Sequence, residues 1–179
     1  MRDVIMIVLT PAALTIGAIV GSIRNRLSAR DDLGCKRPTA RDAAIYTAVF
    51  VLLMAAFEFL YWRLNGDAAP SDWRARYSGA ALTMRVVFAA AIYPLAEELF
   101  FRGFLLGLLR RKAGVLIAVL ATSIAFTALH SLGGSWLGTL QIFTDGVFFA
   151  TVRLRSGSLY LPMAFHVIGN SLAMWQRLT

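Results

Sequence analysis

Six long apolar runs, separated by short polar segments, dominate the pattern of the chain. They cover residues 4–23, 43–62, 80–109, 113–132, 136–152 and 159–175. A helix that crosses a bilayer needs roughly 17–25 mostly apolar residues, and these runs are of that order. None of them alternates polar and apolar residues as a strand does. The pattern therefore predicts an all-α, polytopic transmembrane helical bundle of about six spans.

Two of these runs raise questions of their own. The first begins after Arg2 like a secretory signal, but Asp3 weakens the basic start and the apolar stretch is long for a signal. We therefore expect it to be a retained span. The third run is the longest and contains Pro94. We predict one tilted or kinked span there, with two short segments as the alternative.

Composition supports a membrane protein. The chain is 58% hydrophobic with a mean hydropathy of +0.65, which is more apolar than a soluble domain. The net charge is +8, but the basic residues lie mostly between the apolar runs, a pattern that fits membrane topology rather than nucleic-acid binding. Cys35 is the single cysteine, so an internal disulfide is excluded.

Basic residues also predict an orientation. Segments 24–42, 110–112 and 153–158 would lie on one side of a six-span bundle, and they hold most of the lysines and arginines found between the runs. Because cytoplasmic loops carry an excess of such residues, we expect these segments to face the cytoplasm. The bilayer is thus a predicted partner, and the protein is predicted to be integral to a membrane.

The third run contains charges that are costly in lipid. Glu98 and Arg102 are four residues apart, so they lie on one helix face and can form an ion pair. Glu97 lies ~100° round the helix from Glu98, which leaves its carboxylate free for chemistry. The alternative is a structural ion pair that only ties helices together.

Polar residues in other runs add to this set. His130 lies near the end of the fourth run, while His166 and Asn170 share a face of the last. At ~1.5 Å of rise per residue, these residues and Glu97 fall in one layer, displaced toward the outer leaflet. Such a set can activate water by general base catalysis and stabilise an oxyanion, or it can bind zinc. The H-E-x-x-H zinc signature is absent, but spacing alone does not separate these mechanisms.

Two further carboxylates lie within the apolar runs. Asp145, with Gln141 four residues before it, is a functional candidate by its place in a span. We favour a structural role, in which it pairs across helices. Glu58 lies near the end of a span and is expected to reach the membrane interface.

Three motifs resemble those of the CPBP intramembrane proteases, which include the type II CAAX prenyl endopeptidases and Abi-type proteins. They are Glu97-Glu98-x-x-x-Arg102, Phe126-x-x-x-His130 and His166-x-x-x-Asn170. The resemblance covers roughly residues 80–175. It implies a glutamate-dependent peptidase in which Glu97 and His130 activate water and His166 and Asn170 hold the oxyanion. Glu98 would complete this catalytic set, with Arg102 and Phe126 in supporting positions and no metal or other cofactor.

The resemblance also implies a domain organisation and a substrate class. Residues 1–79 are predicted to form an N-terminal transmembrane pair with a basic loop, and residues 80–179 a CPBP-like catalytic core. The expected substrate is a membrane-anchored peptide or protein tail, and the expected location is the bacterial inner membrane. The alternatives are a non-catalytic membrane scaffold or immunity-type protein, and a small transporter.

Overall fold

Six helices make up the parts of the chain that the computed structural model describes, residues 2–65, 77–130 and 135–178. They are α1 (Arg2–Arg24), α2 (Ala40–Asn65), α3 (Gly79–Ala113), α4 (Val115–His130), α5 (Trp136–Ser156) and α6 (Tyr160–Leu178). The predicted all-α bundle of about six spans is confirmed. Residues 66–76, part of the polar segment between the second and third runs, and residues 131–134, which contain the predicted end of the fourth run, lie outside the described residues.

Three helices in the described part of the chain are long and apolar enough to cross a membrane. The stretches that qualify are Ile7–Arg24, Ala40–Leu64 and Gly79–Ala113, and α4 is apolar but shorter. Many large apolar side chains on the outside of the bundle are exposed, among them Ile23, Leu52 and Leu116. A soluble protein rarely exposes apolar surface on this scale, so the protein is an integral membrane protein.

Helix α3 is one continuous helix with two π-helical segments. These cover Phe88–Ile92 and Leu99–Leu105. Pro94 lies in the first turn of the α-helical stretch between them. Because proline has no N–H and its ring crowds the carbonyl four residues earlier, a wider turn just before it is a natural accommodation. The predicted single long span is confirmed, and the alternative of two short segments is wrong.

Two apolar clusters hold the helices together. Phe50 of α2 stacks on Phe165 of α6 with ring centroids 4.9 Å apart, and Phe148 of α5 packs against the same cluster. The second cluster joins α3 to α4 and α5 through Leu106, Ala118 and Ala150. These contacts fix α2, α3, α4, α5 and α6 in one bundle.

The loop between α1 and α2 binds the ends of two other helices. Asp32 in this loop is buried, and its carboxylate accepts a hydrogen bond of 2.7 Å from Arg111 Nε at the end of α3. Arg153 of α5 donates to the carbonyls of Leu33 and Asp32 at 3.0 and 2.8 Å. Gly107 permits the contact, because a Cβ there would lie 2.7 Å from the Asp32 carbonyl oxygen. The three basic segments therefore meet at one end of the bundle, the basic end.

Candidate active site

A buried ion pair forms the floor of the candidate site. Arg102 Nη1 donates to Glu98 Oε1 at 2.9 Å, and both side chains have 0% of their surface exposed. The same Glu98 oxygen lies 3.0 Å from Nδ1 of His166. The pairing predicted from the four-residue spacing of Glu98 and Arg102 is confirmed. One carboxylate oxygen thus links α3 to α6.

Aromatic rings and a backbone carbonyl enclose the guanidinium of Arg102. The guanidinium carbon lies 4.2 Å from the centroid of the Phe126 ring, within the range of a cation–π contact. Nη2 donates to the carbonyl of Gly146 at 3.4 Å. Contacts from α3, α4 and α5 therefore offset the free-energy cost of burying this charge. The same contacts hold the three helices together at the site.

Glu97 points away from this pair and toward both histidines. Its Oε1 lies 3.6 Å from Nε2 of His130, and its Oε2 lies 3.7 Å from Nε2 of His166. These separations are longer than a normal hydrogen bond. The Glu97 carboxylate therefore keeps acceptor capacity for a further donor such as a water. The Glu97 side chain keeps 12% of its surface exposed.

The partners of the histidines determine which ring nitrogen carries a proton. His130 Nδ1 lies 2.8 Å from the carbonyl oxygen of Phe126. A carbonyl can only accept, so Nδ1 is the donor. His166 Nδ1 likewise donates to the Glu98 carboxylate. In their neutral forms, both imidazoles therefore direct the lone pair of Nε2 toward Glu97.

Asn170 is held by the first π segment of α3. Its Nδ2 donates to the carbonyl of Ala89 at 2.9 Å. A π segment carries an extra residue in the helix and is frequent at functional sites. The amide of Asn170 has two N–H donors, so one is still available to another group. The bond fixes the side chain one turn beyond His166.

A cavity of about 730 Å³ adjoins these residues, between α2, α4, α5 and α6. His130, His166 and Asn170 line it, and Glu97 contacts the two histidines without lining the cavity itself. Asp145 of α5 also lines it. Asp145 forms no hydrogen bond or ion pair with another described residue, and its favourable electrostatic interactions across helices are with His166 and Arg102; its expected cross-helix pairing stays a prediction.

The sequence motifs missed several parts of the site. Helix α2 contributes Phe50, Met54, Glu58 and Tyr61 to the cavity wall, although its sequence carries no motif. Glu58, expected at the interface, accepts a hydrogen bond of 3.2 Å from Gln176 of α6. The bond between Asn170 and the Ala89 carbonyl depends on a π segment. The only sequence signal for that segment is the nearby Pro94.

The sequence left open whether the site binds a metal ion. Across residues 2–65, 77–130 and 135–178, no group of three or more His, Cys, Asp or Glu side chains is arranged to hold a metal ion. Glu97 and the two Nε2 atoms are nevertheless chemically able to bind zinc. Chelation of the purified protein therefore tests whether these three side chains bind a metal ion.

Comparison with known proteins identifies the family. A family model described as Type II CAAX prenyl endopeptidase Rce1-like matches residues 79–172, more than half of the chain. An uncharacterized 24.3 kDa protein of Escherichia coli is 29% identical over 161 residues, which cover 87% of this chain and 67% of that protein. No solved structure matches the chain. The matched region contains all three motifs, and the chain belongs to the type II CAAX prenyl endopeptidase Rce1-like family of intramembrane proteases.

Proposed function

We propose that the protein is an intramembrane endopeptidase in which Glu97 is the general base. The observation that carries this proposal is the approach of two imidazole Nε2 atoms to one carboxylate, each with its Nδ1–H bonded to a fixed acceptor. A water beside Glu97 donates one proton to the carboxylate and one hydrogen bond to His130. General base catalysis of this kind contributes about 10²–10⁴-fold to a rate.

The reaction then follows the ordinary course of amide hydrolysis. The water oxygen bonds to the substrate carbonyl carbon while its proton moves to Glu97, and the carbonyl oxygen becomes an oxyanion. The second N–H of Asn170 stabilises this charge. The Glu98 carboxylate holds the His166 ring through Nδ1, so that its Nε2 lies at the site and can donate to the oxyanion when it carries a proton. When the C–N bond breaks, the proton on Glu97 passes to the leaving amine.

The proposed substrate is a membrane-anchored peptide or protein tail. A peptide must be extended to be cut, and an extended backbone in lipid leaves polar groups unsatisfied at several kcal/mol each. The cavity beside His130 and His166 presents polar side chains, among them Gln141 and Asn170, with which such a segment can form hydrogen bonds. We place the scissile bond near the extracytoplasmic end of the tail, because the site is remote from the basic end. From the family resemblance, we also propose that the enzyme lies in a bacterial inner membrane.

A peptidase assay on the purified, full-length protein tests the proposal. Membrane-anchored peptides are incubated with the wild type and with Glu97→Gln, and kcat/KM is measured. We expect Glu97→Gln to lower kcat/KM by about 10²-fold or more while the protein remains folded. Asp42→Asn is the matched control, because this carboxylate lies at the start of α2, bonded to Thr39. Full turnover by the Glu97→Gln variant would show that Glu97 is not the general base.

The same assay separates a metal-free mechanism from a metal-dependent one. We expect dialysis against a chelator to leave kcat/KM unchanged. Loss of activity that zinc restores would instead assign Glu97, His130 and His166 as metal ligands. If neither the wild type nor any variant cleaves a peptide, the scaffold alternative would be favoured.

A further inference from the structure

Asp145 is a carboxylate inside the cavity that the proposed mechanism does not use. It lies on α5, and Gln141, one turn earlier on the same helix, also lines the cavity. Neither side chain forms a hydrogen bond or ion pair with another described residue. Two polar groups on α5 that have no direct partner among the described residues therefore line the cavity.

A carboxylate without a direct cationic partner raises the free energy of a protein in a membrane, so its presence at this position calls for an explanation. A charged group near the bilayer centre costs ~2.5–3.5 kcal/mol even on insertion scales. A favourable electrostatic influence on the Asp145 carboxylate comes from His166 and Arg102. Both are already bonded to Glu98, so neither neutralises Asp145 by direct contact. Among the described residues, the Asp145 carboxyl group thus faces the cavity without a direct cationic partner, and a ligand can supply one.

The remaining lining fits a long cationic side chain. Glu58 adds a second carboxylate to the cavity, where Gln176 is its partner, and Arg177 adds a positive charge with contacts of its own. Phe50 and Met54 supply apolar surface. Lysine and arginine bury their methylene groups on such surface while their charged ends reach polar partners.

We propose that Asp145 and Gln141 form a subsite that binds the cationic side chain of a lysine or arginine close to the scissile bond of the substrate. The Asp145 carboxylate pairs with the ammonium or guanidinium group, and the side-chain oxygen of Gln141 accepts a second hydrogen bond from it. The subsite rests on the proposed peptidase function, because the cation belongs to the peptide that occupies the cavity.

Binding tests the subsite without requiring cleavage. A fluorescent peptide with a neutral Ala/Ser segment joined to an apolar anchor of about 20 residues is added to the protein in lipid nanodiscs. A single lysine is moved along the neutral segment, and Kd is compared with that of norleucine at the same position. The protein carries Glu97→Gln to prevent turnover. At one position, we expect lysine to bind about 10-fold tighter than norleucine.

Variants assign this discrimination to Asp145. Asp145→Asn should bring the ratio of the two Kd values close to one, whereas Asp145→Glu keeps the charge and should preserve most of the ratio. Asp42→Asn, the same change at the basic end of α2, should leave the ratio as it was. Acetylation of the peptide lysine removes its charge without altering the protein. It should therefore abolish the discrimination even if Asp145→Asn does not fold.

The possible results separate the subsite from the peptidase function. Equal Kd values for lysine and norleucine at every position would overturn the subsite, whether or not the wild type cleaves peptides. A ratio that persists in a folded Asp145→Asn variant would also overturn it. Discrimination that depends on Asp145, with no cleavage by the wild type, would support the subsite and contradict the peptidase.

Discussion

Glu97 and Glu98 are adjacent residues with opposite surroundings. Glu98 is enclosed between Arg102 and His166, whereas Glu97 keeps some exposed surface and meets the histidines only through longer contacts. A helix turns ~100° per residue, so neighbouring side chains necessarily face different groups. One carboxylate can therefore stabilise the fold while the other remains available for proton transfer.

Glu98→Gln is expected to lower stability and activity together. It leaves the guanidinium of Arg102 buried without a charge partner, and breaking such a pair costs about 3–5 kcal/mol. Thermal unfolding of the purified variant in detergent measures the loss, with Glu97→Gln as the control that should unfold close to the wild type. A Glu98→Gln protein as stable as the wild type would mean that the ion pair contributes little to the fold.

The pairings at residue scale could be predicted only where helix geometry determines them. The Glu98–Arg102 pair follows from a spacing of four residues, and it was predicted correctly. The approach of Glu97 to both histidines was expected from their shared depth in the membrane and from the family resemblance, not from helix geometry. Asp145 lines the cavity, and its expected pairing across helices stays a prediction. Whether a carboxylate finds a partner depends on which residues neighbouring helices present, and one sequence does not encode this locally.

At the scale of elements, α3 is the helix that organises the site. Its π segments lie on either side of the stretch Tyr93–Glu98, which ends in the two glutamates. An extra residue in a turn rotates everything that follows relative to a regular helix. It also changes which carbonyls are paired within the helix, and the Ala89 carbonyl accepts its bond from Asn170 on α6.

Asn170→Ala is expected to affect activity more than stability. The interhelical hydrogen bond to Ala89 is of a kind that contributes about 0.6–1.7 kcal/mol in membrane proteins. Loss of an oxyanion donor costs about 10²–10³-fold in kcat. Unfolding and kcat are measured on the same preparation, and Ser171→Ala, one exposed residue further along α6, is the control. If kcat falls no further than the folded fraction, Asn170 is structural only.

The elements themselves were more predictable than their irregularities. Long apolar runs bounded by charged segments predict spans strongly, and the observed helices begin and end within a few residues of the predicted runs. The π segments have no comparable signal, because Phe88–Ile92 and Leu99–Leu105 differ little in composition from the α-helical residues beside them. The bond from Asn170 to Ala89 therefore could not be predicted from sequence.

The two ends of the whole molecule differ, because one holds the basic segments and the cavity lies toward the other. At the basic end, the loop between α1 and α2 binds Arg111 and Arg153. The cavity lies farther along the bundle, where Glu58 meets Gln176. The sequence predicted that the basic segments share a side, and they do meet. It did not predict that α2 forms one wall of the cavity, because that contribution rests on packing rather than on a motif. The division at residues 79 and 80 stays a prediction.

The predicted orientation can be tested with the native cysteine. Cys35 is exposed in the loop at the basic end. If that end faces the cytoplasm, an impermeant maleimide should leave Cys35 unlabelled in intact cells and label it after permeabilisation. Gln176→Cys in a Cys35→Ser background should show the reverse, because Gln176 is exposed at the other end. Opposite labelling would invert the topology and favour cleavage of cytosolic tails.

The contacts of the α1–α2 loop also bear on how the protein is made. Ribosomes produce the chain from its N-terminal side, so Asp32 and the carbonyls around it are in place before Arg111 and Arg153 emerge. Helices α3 and α5 can then dock on this loop through Arg111 and Arg153 as each helix enters the membrane. Expressed without α1 and α2, the region that carries the motifs would have to bury Arg153 with none of its present acceptors. Co-expression of the two halves as separate polypeptides is therefore a more promising way to divide this enzyme than truncation.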